Sequence, residues 1–223
     1  MRKVYEIAKP ALEDERSPHM NGQFSKVSSD DIDTIMDIEE KVYPDPSLEE
    51  DDLEDMIRDP SYRAYSFMIN AQDENGKEAV GYLLAGEQEE SEHFDVEYGK
   101  KVVYIEDIVI LNEWQHKGIG KSAFEEFLRR AEGNDVDFIE MEARVGTSFE
   151  LMTDKWQKLI NEHGYVVEYD TKDKYVDESG TYYYVGLRRN GELANEGEGI
   201  KLRGFRKMGA GLLEAARKRI GKK

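Results

Sequence analysis

The sequence predicts an α/β (α+β) fold in which a mixed β-sheet is flanked by helices. Three observations support this prediction. A run of β-branched residues at 105–110 is followed by a glycine turn and an amphipathic helical pattern. Two helical patterns with N-terminal capping signals precede a pair of strands in the first third of the chain. A further strand, a helix and a second strand pair follow the central stretch.

The first third of the chain divides at its turn and breaker residues. Residues 23–27 are expected to form a strand, and Ser28 and Ser29 to cap a helix that the prolines after Tyr43 break. Ser47 and Glu50 form a capping box for a second helix, which Pro60 ends. The predicted elements that follow are a strand over 62–71, a turn at Asn75-Gly76 and a partner strand over 79–87.

The polar stretch over 87–101 allows two interpretations. It holds six acidic residues within its first eleven positions. A solvated hairpin loop has this composition, and so does a rim that attracts cations. The sequence leaves both open.

The central stretch over 104–131 has the layout of an anion-binding site. After the buried strand come a polar connection, Gly118, Gly120 and a helix. The first turn of a helix leaves backbone N–H groups unpaired, and its dipole favours negative charge there. One face of this helix would be buried against the strand. Its residues recur at three- and four-residue spacing: Ile119, Ala123, Phe124, Phe127, Leu128 and Ala131.

Three motifs compete for this stretch. A P-loop would fit Gly120-Lys121-Ser122, but the sequence has glutamine at the position of the first P-loop glycine. A dinucleotide fingerprint would follow the strand directly, whereas a polar connection separates these glycines from the strand. The third motif, Q/R-x-x-G-x-G/A, fits Gln115 to Gly120 in full. With its strand and helix, this segment resembles the acetyl-CoA pyrophosphate loop of the GNAT superfamily of N-acetyltransferases.

The resemblance covers roughly residues 24–189 and implies a particular architecture. We expect a mostly antiparallel central sheet with one splayed parallel pair, and helices on both faces. The domain boundaries that follow are an N-terminal extension over 1–23, a GNAT-like acyl-CoA-binding domain over 24–190 and a basic, glycine-rich C-terminal arm over 191–223.

The resemblance also implies the cosubstrate site. Acetyl-CoA would be held by the backbone of the strand before the loop, with the N–H of Val109 or Ile110 facing the thioester oxygen, and by the loop and helix start. The expected binding residues are Ile108, Val109, Ile110, Gln115, His116, Lys117, Gly118, Ile119, Gly120, Lys121 and Ser122.

Three carboxylates are candidates for the general base. Glu106 and Asp107 lie on the strand before the loop, and Glu142 lies on the next strand in a pattern similar to that of family members with a base there. Alternation along a strand predicts that Glu106 and Asp107 point to opposite faces. A carboxylate between strands is expected to have a raised pKa, which suits a base near neutral pH. The order of preference is Glu106, Glu142, Asp107.

The general acid is where the chain departs from the family pattern. The tyrosine that many members place five residues before the aromatic of a Gly-aromatic pair corresponds to Ile160 here, because that pair is Gly164-Tyr165. Isoleucine donates no proton.

Composition excludes several classes. The chain has 223 residues, no cysteine and four scattered histidines, so no metal site and no thiol nucleophile are expected. No apolar run reaches membrane-spanning length, and a cytoplasmic location is expected. The net charge of -18 makes the body an unlikely partner for nucleic acid. Residues 201–223, in contrast, carry nine Lys/Arg and one acidic residue, which allows nucleic acid, a second copy or a larger assembly as their partner.

Two functions remain open. The first is acetyl-CoA-dependent transfer of an acetyl group to an amine of a cationic small molecule or basic peptide. The second is a catalytically weak or inactive GNAT-fold protein, for example a virion-associated one, anchored to an assembly by its basic arm.

Overall fold

A computed structural model describes residues 22–43, 48–73, 76–176 and 180–190. The predicted capping residue Ser47, the turn residue Asn75 and the arm over 191–223 lie outside these ranges, as do residues 1–21 of the predicted extension.

In the described part of the chain, seven strands form one mixed sheet; numbered in chain order, they lie across the sheet as β1-β2-β3-β4-β5-β7-β6. Their alternating apolar and β-branched residues are typical of strands whose faces are covered. The strands are β1 Gln23–Lys26, β2 Phe67–Asp73, β3 Gly76–Gln88, β4 Val102–Ile110, β5 Phe138–Arg144, β6 Tyr165–Val176 and β7 Thr181–Arg189.

One pair in the sheet is parallel, and its pairing is short. β4 pairs with β5 from Val102↔Phe138 to Ile105↔Met141, while all other neighbours are antiparallel. β4 continues to Ile110 and β5 to Arg144 without further pairing to each other. The two strands therefore diverge after Ile105, which confirms the predicted fold class and its splayed parallel pair.

Helices cover both faces of the sheet. On one face, α1 reaches β3 through the contact of Glu39 with the Tyr82 hydroxyl. On the other face, Phe124 of α4 (Ile119–Gly133) stacks on Trp156, which directly precedes the helix Gln157–Glu162. The helices are α1 Ile32–Val42, α2 Glu50–Arg58, α3 Pro60–Arg63, α4 Ile119–Gly133, α5 Ser148–Glu150 and α6 Gln157–Glu162, with a π-helical turn at Leu151–Lys155.

One part of the core lies between α4 and the sheet, and buried residues of α1 and α2 also belong to the core. The helix face that the sequence predicted is fully buried, with each of its six residues at most 1% exposed. Its strand partners Val103 and Ile105 are also buried. Because burial of such side chains contributes about 1.5–3 kcal/mol each, this face fixes the position of the glycine turn that begins α4.

Two predicted elements differ from the structure. Residues 62–66 are not part of a strand, because Asp59 caps a short helix: its side chain accepts from the Ser61 N–H at 2.8 Å, and Pro60 takes the first helical position. The single helix predicted between the cap at Thr147 or Ser148 and Gly164 is interrupted by the π-helical turn. In both places the side-chain pattern fitted more than one backbone geometry.

Candidate active site

The start of α4 presents unpaired backbone donors. Gly118 precedes the helix with φ of +85°, a conformation in which glycine has no steric penalty. The first helical hydrogen bond runs from the Ser122 N–H to the Gly118 carbonyl at 3.1 Å. The N–H groups of Ile119, Gly120 and Lys121 therefore have no acceptor in the preceding turn, and an anion is favoured in front of them.

The preceding loop is held to the end of β4 by Gln115. Its Nε2 donates to the Ile110 carbonyl at 2.9 Å and to Asn112 Oδ1 at 3.1 Å. Its backbone N–H also donates to the Asn112 carbonyl at 3.3 Å. His116 has φ of +60°, and the Lys117 ammonium lies 4.4 Å from the centre of the Trp114 ring. Gln115 thus positions the loop, whereas His116 and Lys117 are exposed at its tip.

The strand before the loop offers backbone groups toward the splayed opening. The Leu111 N–H donates to the Val80 carbonyl of β3 at 2.9 Å. Since N–H groups alternate in direction along a strand, the Val109 N–H also turns toward β3, and those of Ile108 and Ile110 turn away from it. Of the two predicted oxyanion donors, Ile110 is therefore the one that faces the opening.

A β-bulge places Glu106 and Asp107 on the same face of the sheet. Leu84 pairs with Asp107 and Ala85 with Ile105, which leaves Glu106 as the extra residue of β4. The Tyr62 hydroxyl donates to Glu106 at 2.7 Å, and the Tyr43 hydroxyl to Asp107 at 3.4 Å. The prediction that these two side chains point to opposite faces is wrong, because simple alternation does not hold across a bulge.

Glu106 and Glu142 share one cleft at the end of the parallel pairing. Burial by its neighbours is the main cause of a raised pKa for Glu106; the Tyr62 hydrogen bond lowers that pKa, and the charge of Glu142 raises it. The cleft has a volume of about 310 Å³ and is lined by Gln88, Glu92, His93, Tyr104, Glu106, Glu140, Glu142 and Tyr184. We call this cleft the acidic cleft.

Asp107 belongs to a second, more enclosed group. Burial and the nearby charge of Glu39 raise the pKa of Asp107 to about 7, although it accepts hydrogen bonds from the Ile108 N–H and Tyr43. Glu39, only 2% exposed, accepts from the Tyr82 hydroxyl. Burial likewise raises the pKa of Glu39. The structure thus brings Glu106 and Glu142 together and gives Asp107 a different set of neighbours.

The polar stretch after β3 packs on the sheet and forms one wall of the acidic cleft. The Ser91 hydroxyl donates to Glu140 at 2.6 Å, and the His93 ring stacks on Tyr184 with a centroid distance of 3.3 Å. The Phe94 ring lies 5.3 Å from that of Phe138. Of the two interpretations left open by the sequence, a fully solvated loop does not describe this segment.

Sequence reasoning missed the cleft residues Tyr104, Glu140 and Tyr184, and also Tyr62, which donates to Glu106. A signal for two of them was present, because Tyr104 and Glu140 lie two positions before Glu106 and Glu142 and so share their face. For the others there was none, since Tyr62 reaches Glu106 through tertiary packing and Tyr184 lies opposite Glu142 in the pairing of β5 with β7. Ile160, at the position of the expected acid, is fully buried.

Within the described ranges, no group of three or more His, Asp or Glu side chains is placed to hold a metal ion. In the same part of the chain, no helix has the length and apolar character needed to cross a membrane.

A sheet that splays beside a glycine-led helix start, with carboxylates at the opening, defines an acyl-CoA-binding type of fold. A sequence model of the acetyltransferase (GNAT) family matches residues 32–150, which is more than half of the chain, and the chain belongs to this family. No curated protein sequence matches.

Several solved structures share the fold at low identity. Naa20 of Chaetomium thermophilum, in complex with a bisubstrate analogue, matches with a TM-score of 0.54 and 18% identity over 80% of this chain and 94% of its own. NAA60 of Arabidopsis thaliana, in complex with acetyl-CoA, matches with a TM-score of 0.52 and 14% identity over 75% and 99%. The ribosomal-protein-S18-alanine N-acetyltransferase of Escherichia coli matches with a TM-score of 0.50 and 13% identity over 79% and 98%.

Proposed function

We propose that the protein is an acetyl-CoA-dependent N-acetyltransferase that acts on an amine of a cationic acceptor. The observation that carries the proposal is the position of Glu106. It lies at the first residue beyond the parallel pairing of β4 and β5, in a cleft with Glu142, on the strand that leads to the anion-binding helix start.

The residues at the splayed opening fit acetyl-CoA. The free N–H groups at the start of α4 suit a pyrophosphate. A Cβ at Gly120 would lie 3.3 Å from the Ile110 side chain, so glycine lets the start of α4 pack closely on the end of β4. The Ile110 N–H faces the opening, whereas the Ile108 N–H already donates to Asp107. Acetyl-CoA supplies the thioester whose carbonyl oxygen the Ile110 N–H would stabilise. The complex of the NAA60 relative with acetyl-CoA supports this assignment.

Glu106 is the proposed general base. As the amine nitrogen forms its bond to the acetyl carbon, Glu106 accepts the proton that the nitrogen loses. The carbon–sulfur bond then breaks and the electron pair leaves with the thiolate. The raised pKa of Glu106 suits a proton acceptor at neutral pH. A thiol with a pKa of about 8.5 leaves as thiolate without an acid at the position of Ile160.

A cationic acceptor follows from the charge of the site. The acidic cleft is lined by four glutamates, and neither lysine nor arginine is among its lining residues. The whole chain carries a net charge of -18. An ammonium or a basic peptide is attracted to such a cleft, whereas an anionic acceptor is repelled.

Calorimetry with CoA tests cosubstrate binding. Gly120→Asp adds a side chain and a negative charge where the pyrophosphate would lie, and it should weaken CoA binding about a hundredfold or more. Gly133→Asp is the matched control: it lies at the other end of α4, where an added Cβ meets no atom within 4 Å. Its CoA affinity should equal that of the wild type.

Turnover on a panel of amines tests the reaction. Release of CoA thiol with a cationic amine, and none with an anionic analogue, is the expected result. If the wild type does not bind CoA at millimolar concentration, the enzyme proposal is wrong, and a catalytically inactive GNAT-fold protein is the function that remains.

A further inference from the structure

Glu140 is a fully buried carboxylate that lines the acidic cleft with one oxygen unsatisfied. The side chain has no exposed surface. Oε2 accepts from the Ser91 hydroxyl at 2.6 Å, whereas Oε1 has no hydrogen-bond partner among the described residues. A buried acceptor without a partner destabilises a fold, so such an atom in a cleft favours a donor from outside the chain, either an ordered water or a ligand.

A second unsatisfied acceptor lines the same cleft. Gln88 Oε1 is buried and also lacks a partner among the described residues. An amide oxygen and a carboxylate oxygen both accept hydrogen bonds, so a group with several N–H donors and a positive charge satisfies both. An ammonium has these properties, and an anion or a neutral apolar group has not.

The position of Glu140 sets the distance to the reacting amine. It lies two residues before Glu142 on β5 and opposite Tyr104 on β4. Two residues along a strand span about 7 Å, so Glu140 is about that far from the proposed transfer site at Glu106 and Glu142. An extended chain of about four or five methylene groups covers this distance.

The loop after β3 forms one wall of the cleft and is held against the sheet by two contacts. His93 stacks on Tyr184, and the Arg188 guanidinium donates to the Asp95 carbonyl at 3.0 Å, which ties the loop to β7. The cleft volume of about 310 Å³ accommodates a short aminoalkyl chain.

We propose that Glu140 and Gln88 form a subsite for a second ammonium group of the acceptor, so that the preferred acceptors carry two amines separated by a short alkyl chain. This inference rests on the proposed function and names the substrate class of the same site. The shared chemistry occurs in free diamines and in peptides that begin with lysine, which carry an α-amine and an ε-amine.

Acetylation rates for matched amines test the subsite. The probes are 1,4-diaminobutane and 1,5-diaminopentane, compared with butylamine and pentylamine. The wild type should show a kcat/KM at least about tenfold higher for each diamine than for its monoamine, because a charge-assisted hydrogen bond is gained. Glu140→Gln should lower this ratio about tenfold, while the exposed loop variant Glu90→Gln should leave the ratio unchanged. Peptide acceptors are tested in the same way: kcat/KM is compared for a peptide with lysine at its N-terminus and for the same peptide with norleucine there.

Three outcomes bear on the proposal. Equal kcat/KM values for diamine and monoamine in the wild type would overturn it, as would a Glu140→Gln variant with an unchanged ratio. If Glu140→Gln does not fold, Gln88→Met removes the second acceptor and should lower the same ratio. Calorimetric titration with diamine in the absence of acetyl-CoA separates the two proposals: selective diamine binding without turnover supports the subsite and rejects the proposed function.

Discussion

Glu106 and Asp107 are neighbours in sequence, yet they belong to two different environments. Glu106 is exposed in the acidic cleft beside Glu142 and accepts from Tyr62 of α3. Asp107 lies with Tyr43, Glu39 and Tyr82 against α1, where burial raises its pKa to about 7. The comparison shows that a high pKa and access to substrate are separate properties: the carboxylate with the larger rise in pKa is the less accessible one.

The largest expected effect distinguishes the two carboxylates by rate. Glu106→Gln should lower kcat by about 10²–10⁴-fold near neutral pH, because it removes the proton acceptor. Asp107→Asn should lower kcat by less than about tenfold. Steady-state kinetics on the best amine, with CoA affinity measured in parallel, checks both. The reverse pattern would make Asp107 the base. If both variants keep the wild-type kcat, Glu142 is the remaining candidate for the base.

The pH dependence of stability should report on the enclosed group. The ordinary pKa of Asp107 is 3.8, and the folded value is about 7. Between these values the folded protein holds a proton that the unfolded chain has lost, so the free energy of unfolding falls as pH rises. Asp107→Asn should reduce the difference between pH 5 and pH 8 by about 2–3 kcal/mol.

Urea denaturation at the two pH values measures this difference. The exposed Asp51→Asn variant is the control with the same chemical change, and its pH dependence should match that of the wild type. A pH dependence that is unchanged in Asp107→Asn would show that solvent reaches this side chain more freely than the structure indicates.

The two tyrosine contacts should differ in their contribution to folding. Tyr82→Phe removes the donor to the buried Glu39 carboxylate and should cost about 1–3 kcal/mol of unfolding free energy. Tyr62→Phe removes a similar contact at the exposed Glu106 and should cost less than about 1 kcal/mol. The denaturation midpoints of both variants measure these losses of unfolding free energy. Equal losses would contradict the contrast between the two environments.

The smallest expected effect concerns how Tyr62 reaches Glu106. A Cβ at Gly86 would lie 2.5 Å from the Tyr62 ring, so Gly86→Ala should displace this tyrosine. Since the Tyr62 hydrogen bond lowers the pKa of Glu106, its loss should move the acidic limb of the kcat/KM profile to higher pH. Tyr62→Phe should shift the limb in the same direction, and Gly133→Ala should leave it in place.

Local signals in the sequence were sufficient for the loop and helix of the candidate site. Gly118, Gly120 and the apolar face of α4 follow rules of backbone geometry and periodicity that act within a few residues. The fold class followed from the same stretch together with the order of the remaining elements. These parts were predictable because their causes are close together in the chain.

The arrangement of the carboxylates was not predictable, because it depends on cross-strand register. Nothing in the residues around Glu106 shows that two residues of β4 face one of β3. The strand predicted over 62–71 failed for a related reason. Aromatic residues favour a strand there, but the cap at Asp59 and the proline after it decide the backbone of Tyr62.

The extra residue in β4 has a genetic consequence. Strand pairing is regular on both sides of Glu106, so loss or gain of a single codon at this point can be absorbed without changing the order of strands. Deletion would remove one carboxylate and restore simple alternation to the rest of the strand. Insertions and deletions, as well as substitutions, are thus a route by which descendants of this gene can exchange one acidic group of the site for another.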